Sequence, residues 1–174
     1  MAEHVKVLLS EKEVDDRIQA IGEQISRDYA GKQVHLICVL KGGSFFLCEL
    51  AKRITVPGSL DFMSVSSYGS ETKSSGVVKI IKDLDEPIKG KDVLVIEDIV
   101  DSGRTLSYLM EMLKDRGPAS LKLCTLLDKP DRRVIDVPVD YTGFEIPDEF
   151  VVGYGLDYDQ RYRNLPYIGV ISFD

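Results

Sequence analysis

The stretch 91–105, KDVLVIEDIVDSGRT, limits what this chain can fold into more than any other. Val93, Leu94, Val95 and Ile96 form an unbroken apolar run, the pattern of a short central strand buried on both faces. Glu97, Asp98 and Asp101 then place three carboxylates within five positions, and Ser102, Gly103, Arg104 and Thr105 follow at once. Beyond them Leu106, Leu109, Met110 and Leu113 recur at the spacing of one helix face, which ends at Gly117-Pro118. A buried strand that ends in acid and feeds a helix through a loop of small residues is a unit of an α/β fold.

That junction carries chemistry. A helix N-terminus presents unpaired N–H groups and partial positive charge, so it suits a phosphate. Gly103 lets the backbone approach the anion, and Ser102 and Thr105 supply hydroxyl donors. The acids upstream cannot bind that phosphate; they suit ribose hydroxyls, Mg²⁺ or a proton in transit. A sugar phosphate satisfies both halves. Acids that merely cap the helix would account for one carboxylate, and three with such a loop are more specific.

Composition excludes several classes. A chain of 174 residues, 44% apolar and 29% charged, suits one globular domain spanning 1–174. A net charge of −7 argues against duplex nucleic acid as a partner, since that binding draws on Lys and Arg neutralising phosphates. No apolar run approaches the roughly 20 residues of a membrane span, and the opening MAEHVKVLLSEKE is no secretory signal. Cys38 and Cys124 sit in apolar runs and Cys48 makes the number odd, which fits reduced thiols and a cytoplasmic setting.

Along the chain, Ser10 and Glu13 fit a capping box, and Val14, Ile18, Ile21 and Ile25 mark a helix ending near Gly31. The run 34–40 reads as a second buried strand ending in Lys41-Gly42-Gly43-Ser44, a turn suited to an anion held by backbone N–H groups. Strands are expected at 60–65 and 77–81, joined by a polar, small-residue loop at 66–76. A strand at 121–127 runs into Asp128-Lys129-Pro130, an aromatic-rich strand is expected over 144–150, and 168–171 closes the sheet or its cap. Three buried strands thus end in polar loops, and ligands of open α/β sheets gather outside strand C-termini.

VLVIEDIVDSGRTL, at 93–106, resembles the phosphoribosyl pyrophosphate signature of type I phosphoribosyltransferases, and its Glu-Asp-Ile-x-Asp-Ser-Gly form is similar to the hypoxanthine-guanine branch. LKGG, SSY and FVVGYGLDY accompany it in the family's order. The resemblance implies a mainly parallel central sheet flanked by helices, with a small cap (hood) and a flexible loop. It implies Mg²⁺-dependent purine salvage: the phosphoribosyl group of phosphoribosyl pyrophosphate passes to hypoxanthine or guanine, giving IMP or GMP and pyrophosphate. Ser102, Gly103, Arg104 and Thr105 would seat the sugar's phosphate. Glu97 and Asp98 would hold the ribose diol, directly or through Mg²⁺. Asp101 would be the general base, and Lys129 would contact the 6-oxo group, favouring oxo over amino purines, with Arg133 nearby. Lys41, Gly42 and Gly43 would form the pyrophosphate loop, with a cis Leu40–Lys41 bond, and Arg163 would add a cation. Ser67 and Tyr68 would close over the site, Phe150 would stack on the base, Val151 would read its edge, and Asp157 would bind Mg²⁺. A homodimer or homotetramer of compact bacterial type is expected.

Departures from the family are Ser102, where many members have Thr, and Gly155, where some have Ala; the second is expected to loosen the base pocket. A related nucleotide-sensing, RNA-binding regulator is the first rival, opposed by the acidic charge and the complete catalytic set. A dinucleotide-dependent oxidoreductase is the second, but no Gly-x-Gly-x-x-Gly follows a strand. His4 and His35 lie outside the glycine loops.

Overall fold

The computed structural model describes residues 2–67 and 78–174. Among the described residues, nine strands and three α-helices run in the order β1 (Glu3–Leu9), α1 (Glu11–Asp28), β2 (Val34–Val39), α2 (Ser44–Ala51), β3 (Gly58–Ser67), β4 (Val78–Lys82), β5 (Asp92–Val100), α3 (Arg104–Lys114), β6 (Ser120–Asp128), β7 (Tyr141–Glu145), β8 (Val151–Val152) and β9 (Ile168–Phe173). The main sheet has the order β4-β3-β2-β5-β6-β7, parallel except for β4, and a three-stranded antiparallel sheet has the order β1-β9-β8.

Period-2 alternation divides the core between the two faces of the main sheet. Leu36 and Cys38 of β2, with Leu94 and Ile96 of β5, pack against Val14, Ile18, Ile21 and Ile25 of α1 and Phe46, Leu47 and Leu50 of α2. Ile37, Val39, Val93 and Val95 point the other way, onto Leu106, Leu109 and Leu113 of α3. The continuous apolar runs therefore do mark strands covered on both sides. The capping box of α1 forms as its residues predict: Glu13 N–H donates to Ser10 Oγ at 3.1 Å, and Ser10 N–H to Glu13 Oε1 at 3.2 Å.

Three expectations need correction. First, β5 does not stop at the acids: parallel pairing with β6 continues through Glu97↔Thr125 and Ile99↔Leu127 to Val100↔Asp128, so the acids are strand residues. Second, the strand expected over 144–150 is Tyr141–Glu145, in register with β6 from Cys124↔Tyr141 to Asp128↔Glu145. Pro147 follows and brings no N–H to a longer ladder. Third, the opening stretch, in which no strand is expected, holds β1; its alternation is weak because much of the strand is exposed.

Parallel pairing puts the C-terminal ends of β2, β5 and β6 at one edge of the sheet. The loops after them are the polar turns that the sequence singles out. The small sheet covers this edge: Val151 of β8 lines a cavity together with Asp101 and Lys129, and Gly155 packs onto the carbonyl of Gly42. Among the described residues, no helix is long and apolar enough to cross a membrane.

Candidate active site

The loop after β5 is a cradle. Gly103 has φ +84°, which favours glycine, and a Cβ there would collide with the carbonyl oxygen of Ile135. The Ser102 carbonyl accepts the N–H groups of Val134 at 2.8 Å and Ile135 at 3.1 Å, so the segment after β6 lies across the loop. Ser102 Oγ accepts the Arg104 N–H at 3.3 Å, at the start of α3. Glu97, Asp101, Ser102, Gly103 and Thr105 line a cavity of about 170 Å³ here.

Glu97 and Asp98 occupy consecutive strand positions, and their carboxyls still lie within hydrogen-bond reach of each other. Glu97 lines the cradle cavity; Asp98 lies against Gly42, where a Cβ would collide with Asp98 Oδ2. Only glycine lets the two loops approach this closely. Burial, followed by the neighbouring Asp98 charge, raises the proton affinity of Glu97 well above the usual carboxylate range. Burial raises Asp98 as well, opposed by the Ile99 N–H, which donates to it at 2.7 Å, and more weakly by the charge of Arg163.

Ile99 and Asp101 also border a second cavity, of about 310 Å³, lined with Lys129, Arg132, Asp148, Phe150, Val151, Leu156 and Asp157. Lys129 is not the solvated lysine that its residue type makes usual: it is 8% exposed, with Nζ 4.0 Å from Asp101 Oδ1 and 3.8 Å from Asp148 Oδ1. Phe150 is 52% exposed rather than packed in the core, and its ring meets Tyr158 edge-on at 5.8 Å. Val151 is buried in β8. Arg133 holds the loop from below: Nε donates to the Asp101 carbonyl at 3.1 Å, and Nη2 pairs with Asp128.

At the third strand end the Leu40–Lys41 peptide is cis, as the resemblance implies. Lys41 Nζ donates to Gln160 Oε1 at 3.2 Å. Arg163 Nη2 reaches the same oxygen at 3.3 Å and lies 3.4 Å from Asp157 Oδ1, while its Nη1 donates to the Gly155 carbonyl at 2.6 Å. Gly155 has φ +98°, and a Cβ there would collide with the Gly42 carbonyl. It therefore packs directly against the glycine loop.

Asp101, Lys129, Phe150, Val151 and Asp157 thus share one cavity, Glu97, Ser102, Gly103 and Thr105 share its neighbour, which Arg104 does not line, and Lys41, Gly42 and Arg163 adjoin Asp157 and Asp98. Ser67 ends β3, paired with Val78; Tyr68 and the rest of the polar loop lie outside the described residues. Sequence reasoning missed Asp148, Arg132 and Gln160. Asp148 meets Lys129 and Arg132 only once β6 and the 146–150 segment are brought together, and Gln160 carries no motif. His35 is far from this edge, at the start of β2, with Nδ1 2.6 Å from Ser59 Oγ. A larger cavity of about 460 Å³, lined by Met110, Lys114 and Asp140 near the start of β6, holds none of the motif residues.

Mg²⁺ is held by one or two carboxylates together with substrate phosphates rather than by a full protein cage. Asp157 and the Glu97–Asp98 pair fit that as hard oxygen donors, Asp157 in the pocket of Lys129 and Glu97 in the cradle beside it.

Comparison with known proteins agrees with this geometry. Residues 4–159 match the family model of the phosphoribosyl transferase domain. The hypoxanthine-guanine phosphoribosyltransferase of Streptococcus thermophilus is 52% identical over 167 residues, 96% of this chain and 93% of that one. The hypoxanthine phosphoribosyltransferase of Salmonella typhimurium is 53% identical over 173 residues, 98% of this chain and 97% of that one. The crystal structure of a hypoxanthine phosphoribosyltransferase from Staphylococcus aureus superposes with a TM-score of 0.94 at 50% identity, covering 96% of this chain and 91% of that one. The chain belongs to the phosphoribosyltransferase family, in its hypoxanthine(-guanine) branch.

Proposed function

We propose that this protein is a purine-salvage enzyme that moves the phosphoribosyl group of phosphoribosyl pyrophosphate onto hypoxanthine, and onto guanine, releasing IMP or GMP and pyrophosphate. One observation carries the reading: Asp101 borders both cavities, the cradle of Ser102, Gly103 and Thr105 and the pocket of Lys129, Phe150 and Asp157. An acid set between a phosphate seat and a base seat stands where the two substrates must meet.

The bond from the anomeric carbon to the pyrophosphate oxygen breaks as the carbon gains oxocarbenium character, and a bond to a ring nitrogen of the purine forms. Holding both partners in line supplies much of the acceleration. The cradle fixes the sugar at its phosphate, with Glu97 and Asp98 at the diol. Asp101 takes the imidazole proton as the base attacks. Lys129 offsets the negative charge that gathers on the 6-oxo oxygen, and its cation repels the amino group of an aminopurine. Phe150 and Ile99 supply apolar walls for the base. Lys41 and Arg163 balance the charge of the departing pyrophosphate. Asp157 would hold Mg²⁺ beside the leaving group, and Glu97 and Asp98 would reach the diol directly or through Mg²⁺; the metal would supply further charge neutralisation. The cytoplasm is the setting that fits such a salvage reaction and three free thiols.

Incubation with phosphoribosyl pyrophosphate, hypoxanthine and Mg²⁺ tests the reading. IMP and pyrophosphate should appear one for one, guanine should give GMP, adenine should give almost nothing, and EDTA should stop turnover. No IMP, together with tight RNA binding, would favour the regulatory rival.

A further inference from the structure

We propose that Gln160 is a positioning residue for the pyrophosphate end of the site, an assignment that rests on the reading just given. Its side-chain oxygen accepts from Lys41 Nζ at 3.2 Å and from Arg163 Nη2 at 3.3 Å. Its main-chain N–H donates to Asp157 Oδ2 at 2.9 Å. One residue thus touches both cations assigned to the leaving group and the carboxylate assigned to Mg²⁺.

Two like charges so close repel, and Lys41 in particular is an exposed, long and flexible side chain. A shared acceptor removes part of that repulsion and narrows the rotamers of both before substrate arrives, which lowers the ordering cost of binding. Arg163 is further tied by its 2.6 Å bond to Gly155, so the Gln160 oxygen draws Lys41 toward a fixed partner. The acceptor is an uncharged amide, and its bonds are long. A cation's bond to a neutral amide is weaker than its bond to an anion, so a pyrophosphate oxygen displaces the amide where a carboxylate would compete with it.

Asp159 and Gln160 have φ +51° and +63°, the left-handed region that residues other than glycine seldom occupy. The backbone bonds exchanged by Tyr158 and Arg161 close this two-residue turn, a type in which both central residues take positive φ, and the turn presents the Gln160 side chain to Lys41.

Gln160→Met keeps length and volume and removes the acceptor, and Gln160→Leu repeats the test should the first variant fold poorly. Loss of one or two net hydrogen bonds should raise KM for phosphoribosyl pyrophosphate and the inhibition constant of pyrophosphate about three- to tenfold. KM for hypoxanthine and the melting temperature should stay unchanged. A purely structural role would move both substrates' constants together or lower the melting temperature, and either result overturns the assignment. An active wild type whose variants bind pyrophosphate normally, by calorimetry with Mg²⁺ present, also overturns it. A wild type that neither turns over nor binds Mg²⁺-pyrophosphate overturns the reading of the whole site and Gln160 with it.

Discussion

The two halves of β5 share one backbone and one neighbour, and they do opposite things. Val93, Leu94, Val95 and Ile96 are wholly buried, while Glu97 and Asp98 continue the same strand half-buried, in a ladder with β6 that does not break between them. Each fully buried aliphatic side chain in the first half stabilises the fold by about 1.5–3 kcal/mol. The second half opposes folding, because burial disfavours the charged form of both carboxyls. Backbone hydrogen bonds accept either kind of side chain, so a well-anchored apolar segment carries an unfavourable acidic one into place. The site sits where stability is spent rather than made.

The sharpest test of that division is Asp101→Asn. It should lower kcat by about 10²–10⁴-fold with little change in the binding of phosphoribosyl pyrophosphate or in melting temperature, because the loop is held at its main chain by Arg133. Equal losses in turnover and binding would remove Asp101 as the base. Ile96→Ala, five positions earlier, should do the reverse: about 2–5 kcal/mol of stability lost, seen in denaturant melts, with kcat of the folded fraction nearly kept. A smaller effect of opposite sign is expected for Glu97→Gln. The native Glu97–Asp98 pair binds protons more tightly than the unfolded chain does, so its contribution to stability is fully present below the ordinary carboxylate range and is lost as pH rises above it. At pH 7 the amide should therefore stabilise the free protein by about 0.5–2 kcal/mol, and the gain should vanish as the pH is lowered toward 4. Activity should fall. A variant that is less stable at neutral pH would break the comparison.

Much of this was legible in the chain. The runs ending at Leu40, Ile96 and Leu127 are apolar enough to be read as buried parallel strands, and a polar turn after such a strand falls at the ligand edge by topology alone. Lys129 and Phe150 show where local reading stops. Lysine is usually solvated and phenylalanine usually packed inside, yet here the lysine is 8% exposed and the phenylalanine 52%. Only resemblance could reverse those defaults before the fold was in hand. Asp148 and Gln160 were out of reach of either route: each acts through a partner distant in sequence, Lys129 for one and Lys41 for the other, and neither belongs to a glycine loop or an acidic run. The close approach of Gly155 to the Gly42 carbonyl was equally out of reach, because the two glycines lie far apart in sequence.

The most direct measurement is a crystal structure with phosphoribosyl pyrophosphate, Mg²⁺ and an unreactive oxopurine analogue bound together. The account predicts the sugar's phosphate against Ser102, Gly103 and Thr105, the purine ring against Phe150 with its 6-oxo oxygen at Lys129, and an imidazole nitrogen within hydrogen-bond reach of Asp101. A base bound elsewhere, or bound in that pocket with its imidazole edge turned away from Asp101, would contradict it.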